Sequence, residues 1–371
     1  MLQLAQGAYT DAQVRALLHA AAGSREVRYR YALLNKYDVE LGTLSTVESG
    51  SVRLDTESDI SRTARFVMSE NEAGDINWLS DRVKPYMRVR AGSDWLEWPL
   101  GVFIPSSPGR KSSGGRVTRS VEAYDKGVIL SEDRFTSRYL IAASTLYTDA
   151  IDSILDAAGL WKVNITPSAA ALAVPREFEI GTSRLEAVNT LLAEINYSQI
   201  YIDAEGYAIC EPYVLPTARE ASYTYRTDEL SIIRDGALQT EDLFAVPNVW
   251  VVTASNPEQA AVTSTYTNDR ASSPTSTVNR GRSIVDVRRI DAIYDQTTLD
   301  AYVQRLAYDA SQVYGRLVFD TAAMPHHGYG DILFISHDGL ELTTKYREIA
   351  WELDLSPGGK MSHECRRVIR A

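Results

Sequence analysis

Between Arg28 and Asp125 apolar and polar residues alternate with a period of two, interrupted at short intervals by turn residues. The alternation is clearest in Ser51-Val-Arg-Leu-Asp55, in Thr63 to Met68, and in Met87-Arg-Val-Arg90, which runs into the turn Ala91-Gly-Ser-Asp94. Successive side chains of a strand point to opposite faces, so this period can bury one face of a sheet but not one face of a helix. It therefore dictates an antiparallel β domain, placed at residues 25–144. The stretch from Pro105 to Gly115, PSSPGRKSSGG, reads as a flexible loop, because its prolines and glycines withhold ladder hydrogen bonds.

The period changes twice more. Asp11 to Ala22 places Val14, Leu17, Leu18 and Ala21 at helical spacing and stops at Gly23, which predicts a short amphipathic helix in an N-terminal arm, residues 1–24. Residues 145–215 read as an inserted α+β domain. There Thr148 is expected to cap a helix carrying Ile151, Ile154, Leu155 and Ala158. Ser183 and Glu186 form a capping-box pair ahead of Leu185, Val188, Leu191, Leu192 and Ile195. Ile200 to Ile209 reads as a hairpin turning at Asp203 to Gly206.

A second β domain is expected over residues 216–371, with Asn248 to Thr253 as a buried strand and a helix from Thr298 to Ala310. Its polar excursion 254–282, rich in Ser, Thr, Asn and Pro, reads as a long loop that touches a neighbouring subunit. Met87 to Asp125 and Asp331 to Val368 share a strand–turn–strand–loop–strand pattern, which suggests two related β domains flanking the insert. The expected fold class is mainly β with an α+β insert.

Composition narrows the function. With 44% hydrophobic and 23% charged residues over 371 positions, the chain can bury a large core without metal or disulfide staples. Cys210 and Cys365 are expected to be buried free thiols. A net charge of −11 opposes DNA-reading and anionic-membrane roles. No apolar run approaches a bilayer span, and Met1 to His19 lacks the pattern of a secretory signal.

Catalytic patterns are missing from the sequence: there is no G-x-S-x-G, H-E-x-x-H, Walker, G-x-G-x-x-G or D-x-D-x-D-G stretch. The imidazoles of His326-His327 and His337 are of a type that ligates zinc, but no partner ligand stands at metal spacing, so a turn is expected there. Asp149, Asp152 and Asp156 share a helix face and are read as dipole and capping residues, two of them in the first turn. Asp55, Glu57 and Asp59 read as a solvated edge that blocks stray strand pairing. Trp78, Trp95, Trp98, Trp250 and Trp351 lie in alternating strand patterns and are assigned to core or interface, ahead of a sugar platform. No catalytic, cofactor-binding or metal-binding residue is therefore expected, and no cofactor.

Several segments together resemble the minor tail or tail-hub proteins of long-tailed phages (siphophages) of high-GC Gram-positive hosts. They are Ile76-Asn-Trp-Leu-Ser-Asp-Arg82, Lys84-Pro-Tyr-Met87, Trp98-Pro-Leu-Gly-Val-Phe-Ile104, Val121-Glu-Ala-Tyr-Asp125, Tyr147-Thr-Asp-Ala150, Pro247-Asn-Val-Trp250 and Ser273-Pro-Thr-Ser-Thr277. The resemblance implies a non-enzymatic baseplate-hub subunit with two tail-tube-like β-barrels. It would form a homotrimer whose ring joins the hexameric tail tube or distal tail protein to the tip. The tape measure protein and tip or fibre proteins would be its other partners, and DNA would only pass through the channel during ejection. Its place would be the virion tail tip, after synthesis in the host cytoplasm. The alternative is a receptor- or carbohydrate-binding tail-tip module.

Overall fold

The computed structural model describes residues 1–21, 23–70, 76–106, 109–241, 243–244, 246–256, 259–290, 293, 295–311 and 315–368. Ala22, Ser107, Pro108, Pro257, Glu258 and Ala371, each part of a sequence-based expectation above, are among the residues that lie outside the described ones. The fold is mainly β with an α+β insert, as the periodicities predict.

Helix α1 (Asp11–Leu18) begins at the N-cap Thr10, which forms a capping box with Gln13, and it buries Val14 and Leu18 in the main core. The arm thus docks on its own chain, and His19 Nε2 lies 2.6 Å from the Tyr223 hydroxyl. Then come β1 (Val27–Leu34), β2 (Glu40–Leu44), β3 (Val47–Asp55), β4 (Arg62–Ser69), β5 (Arg82–Ala91) and β6 (Asp94–Pro99). They are followed by β7 (Ile104–Pro105), β8 (Gly109–Ser113) and β9 (Arg116–Tyr124). The expected loop 105–115 is corrected here: β8 pairs with β9 as a hairpin. Its turn is Gly114-Gly115, with φ of 58° and 79°, a left-handed pair that only glycine adopts at little cost. The glycines serve a tight turn and not a loose loop.

The middle unit holds α2 (Gly127–Glu132), β10 (Tyr139–Ile141), α3 (Tyr147–Ala157), β11 (Val163–Ile165), β12 (Arg176–Phe178), α4 (Arg184–Glu194), β13 (Tyr201–Ile202) and β14 (Ala208–Cys210). Its core runs from Leu130 to Cys210, so it takes in Leu130, Phe135 and Ile141 from ahead of the expected boundary at 145. Helix α3 starts one residue before Thr148, on an N-cap Leu146 that makes no side-chain cap, so only Asp149 of the three aspartates is in the first turn. Ser183 caps α4 by accepting from the Glu186 N–H, and β13 and β14 form the expected hairpin.

The last region contains β15 (Tyr223–Arg226), β16 (Leu238–Glu241), β17 (Val249–Asn256), β18 (Gln259–Thr267), α5 (Thr277–Arg280), β19 (Val285–Ile290) and α6 (Gln296–Ser311). It ends with β20 (Gly315–Ala322), β21 (Ile332–His337), β22 (Leu342–Asp354) and β23 (Lys360–Arg367). The expected loop 254–282 is also corrected. Strand β18 pairs with β17 in a three-stranded sheet with β19, and α6 lays Leu299 and Val303 on it beside Trp250. The polar residues that follow fold inward. Asn248 Nδ2 donates to the Thr275 and Arg282 carbonyls, and Asn248 Oδ1 accepts from the Ile284 N–H at 2.7 Å. Side chains of this kind can replace a ladder with local backbone bonds, and composition alone does not show that.

Strands from the two ends of the chain share one eleven-stranded sheet, ordered β16-β20-β23-β22-β3-β4-β9-β7, with β8, β15 and β21 attached. The join is β22 against β3, where Trp351 faces Leu54 and Leu353 faces Val52. A four-stranded sheet, β2-β1-β5-β6, packs into the same core through Tyr31, Val89 and Trp98. The pattern shared by Met87–Asp125 and Asp331–Val368 does not carry over strand for strand. Strands β22 and β23 are hydrogen-bonded neighbours, whereas β6 and β9 belong to different sheets.

Candidate functional site

Two features of this architecture offer chemistry or contact: a buried polar cluster, and the open sheet edges. In the cluster, Glu348 stands next to a β-bulge of β22, where the register against β23 shifts between Glu348 and Ala350. Its carboxylate is fully buried and takes one short contact on each oxygen, His327 Nδ1 and His363 Nδ1, both at 2.6 Å. A carboxylate only accepts, so both Nδ1 atoms carry the proton. The other ring nitrogens meet the Tyr225 hydroxyl at 2.7 Å and the Thr321 hydroxyl at 2.8 Å. The cluster thereby ties β15, β20, β22, β23 and the turn before β21 together through side chains alone.

Burial by itself would raise the Glu348 pKa, but the two imidazoles hold it down, at about 2. Burial lowers that of His363, with the bond to Glu348 only partly offsetting it. His326 is also buried, edge-on to Tyr223 at 4.7 Å, and neither ring nitrogen has a hydrogen-bond partner. Burial therefore pushes its pKa well below the usual imidazole value. The N-terminal amine closes the seam: it lies 3.1 Å from Asp331 Oδ1, and Leu2 donates its N–H to the His326 carbonyl.

The cluster predicts a pH response. Groups whose folded pKa is depressed contribute stability above their unfolded pKa and lose it as pH falls. The two lowered histidines should act below about pH 6.5, and Glu348 only below about pH 4.3. Asp125 works the other way, since burial raises it to about 6 and it favours the fold as pH falls. With two groups against one, the thermal midpoint should drop between pH 7 and pH 5. A midpoint that is level or higher at pH 5 would contradict this account.

His327, Glu348 and His363 are also the group of ligand atoms, all within 4.8 Å of one another, that could hold a metal among the described residues. The separations do not fit one. Bonds of about 2.0 Å in a tetrahedral site keep ligand atoms about 3.3 Å apart, whereas these contacts close to 2.6 Å, the span of a shared proton. As the side chains stand, they hydrogen-bond to one another across β22, β23 and the turn before β21.

The sheet edges carry part of the exposed apolar surface. Strand β19 is the edge of its sheet and turns Val285 and Val287 to solvent, the latter 64% exposed. Leu41 lies exposed on edge strand β2, and Leu238 on β16 at one end of the large sheet. At the other end, every residue of β8 is exposed. Edges left uncovered are templates for pairing unless charged side chains, as on β8 and β19, or a covering chain blunt them.

The sequence-based candidates fall as follows. His326 and His327 lie in a turn, as expected, while His337 caps the short Asp338–Leu340 turn. Asp149, Asp152 and Asp156 are exposed. Asp55 meets Arg53, and Glu57 meets Arg366. Trp98, Trp250 and Trp351 are core residues, and Trp78 and Trp95 are half-buried. Both cysteines are free and buried, and burial pushes the Cys210 thiol up to about 12. Sequence reasoning missed Glu348 and His363. The available signal was in β23, where His363 shares the inward phase with Met361 and Cys365.

This fold is one seen in phage tail proteins. The tail protein of Neisseria meningitidis MC58 superposes with a TM-score of 0.65 at 12% identity, covering 92% of this chain and 97% of that one. The 43 kDa tail protein of prophage MuSo2 from Shewanella oneidensis gives 0.63 at 10% identity, over 91% and 98% of the two chains. Prophage tail protein gp18 from Listeria monocytogenes gives 0.53 at 11% identity, over 90% and 94%. No protein-family model matches the chain, and no curated protein matches its sequence. Among the described residues no helix is long and apolar enough to cross a membrane.

Proposed function

We propose that this chain is a non-enzymatic structural subunit of a phage-type tail, and that three copies close into a hub ring at the tail tip. The observation that carries the reading is the likeness in fold to the Neisseria tail protein across nearly the full length of both chains. The exposed edges of β8, β16 and β19 support assembly, because a ring that continues or covers strands removes them from water. In this reading the β regions from the two ends of the chain, joined through β3 and β22, form the wall of the ring. They would sit between a tube or distal tail protein on one side and tip proteins on the other, around a channel for DNA.

The net charge of −11 suits such a channel, since attraction to phosphates would slow the passage of DNA. The test is the mass of the purified protein by light scattering, together with images of intact tails. Three chains per particle and threefold density at the tip are the expected result. A chain that stays monomeric at high concentration and is absent from the tip would overturn the proposal.

A further inference from the structure

The three-stranded sheet β18-β17-β19 has one covered face and one bare face. Helix α6 covers the first, laying Leu299 and Val303 against Trp250 and Val252. On the other face the register aligns Val249 of β17 with Thr267 and Val285, and Val251 with Thr265 and Val287. The two threonines are exposed, Val285 and Val287 are 52% and 64% exposed, and Val249 and Val251 are half-buried. None of the four valines belongs to a hydrophobic core of the chain. Contiguous apolar surface of this kind marks a contact site.

The bare face is also positive. Arg289 shares the phase of Val285 and Val287 on β19, and Arg282, at the entry to that strand, lies 5.3 Å from the Phe244 ring centroid. Neither arginine meets a carboxylate among the described residues, whereas Asp286 and Arg288, in the opposite phase, pair with each other. Two such cations beside valines select an acidic partner surface, and a second copy of a chain with net charge −11 offers one. On the outer face of α3, Asp149, Asp152 and Asp156 stand exposed beside Leu146, and none of the three pairs with a cation among the described residues. The molecule's own α3 is out of reach. The covered side of the sheet is the one that meets the middle unit, where Arg305 of α6 donates to the Tyr197 carbonyl, so the valine face looks away from that unit.

We infer that the valine face of β17 and β19 docks on the α3 face of a second copy of this chain. The two patches differ, so the contact is head-to-tail, the kind that closes into a ring when its rotation allows. The inference rests on the hub-ring reading and names one of the contacts that would close the ring. Other occupants fit less well. The face has no Trp, Tyr or Lys to sit at a lipid surface, and two cations on a flat wall of valines do not track a phosphate backbone.

The test is sedimentation of the full chain over a concentration series. The variants are Val287→Glu, the pair Arg282→Glu with Arg289→Glu, and the pair Asp152→Arg with Asp156→Arg. Val39→Glu, 57% exposed at the β1–β2 turn, serves as control. The first three should each raise the concentration needed for assembly by about tenfold, with the thermal midpoint of the dilute chain unchanged, and the control should match the wild type. Joining the two charge-reversed pairs in one chain restores opposite charges across the contact and should recover most of the loss. A trimer indifferent to the three variants, or a combined variant no better than either pair alone, overturns the inference and leaves the ring reading standing. A wild-type chain that stays monomeric removes both. Should Val287→Glu fail to fold, the charge-reversed pairs decide.

Discussion

Replacing Glu348 by alanine should cost about 3–5 kcal/mol of folding stability and lower the thermal midpoint by on the order of 10 °C. The magnitude follows from what is left behind. Both Nδ1–H donors now at 2.6 Å from the carboxylate lose their acceptor in a site with no access to water. Glu348→Gln should cost less. Its amide oxygen can still accept from one imidazole, and its NH₂ can donate to the other if that ring moves its proton to Nε2, which faces a hydroxyl in either case. A control separates the orphaned groups from the lost packing. Combining Glu348→Met with His327→Leu, His363→Leu and Tyr225→Phe removes donors and acceptors together, and should recover most of the loss. Denaturant titrations of the three variants measure this, and a Glu348→Ala loss below about 1 kcal/mol would show that the cluster is no brace.

The same cluster shows where the sequence stops being legible. Period-two alternation located β3, β4 and β5 correctly, because burial of one sheet face is a local property of the chain. The Ser183 capping signal located α4, and the turn residues Asp203 to Gly206 located the β13–β14 hairpin, for the same reason. What alternation does not encode is partner choice. Glu348 and His363 are fifteen residues apart, and His327 is twenty-one from Glu348, so they meet only once β22, β23 and the preceding turn are assembled. The union of β3 with β22 is likewise a pairing between distant segments, and it merged two expected domains into one sheet. The two expected loops failed differently. Gly114-Gly115 and the Asn248–Asn268 network have the composition of loops, but their geometry is that of a tight turn and of a satisfied polar core. Strand edges, where assembly is proposed, carry no sequence signature beyond an exposed Val285 or Val287 in an otherwise ordinary strand.

A second large loss is expected at Arg62, whose side chain lies at the meeting of the three regions and is almost wholly buried. Its Nη1 donates to the Leu100 carbonyl at 3.0 Å and its Nε to the Ile202 carbonyl at 3.3 Å, and its guanidinium lies 5.4 Å from the Trp351 ring. Leu100 and Trp351 belong to the main core, while Ile202 belongs to the core of the middle unit. Burial lowers the Arg62 pKa, and the charges of Asp125, Asp203 and Asp331 offset that only in part. The middle hairpin is pressed close at this junction. Gly206, at φ +87°, would place an added Cβ 2.9 Å from Val102 Cγ2. Arg62→Ala strands two carbonyls and leaves buried Asp125 without its nearest cation, which should cost about 3–5 kcal/mol. Because the lost bonds bridge two cores, the loss should also divide unfolding into two steps, the unit from Leu130 to Cys210 separating from the sheet. Arg62→Met keeps the packing on Trp351 and should recover less than half of the loss, since the bonds and the charge stay absent. Calorimetry of both variants reads the step count and the stability together. A single transition within about 1 kcal/mol of the wild type would show that the cores are held together by apolar contact alone.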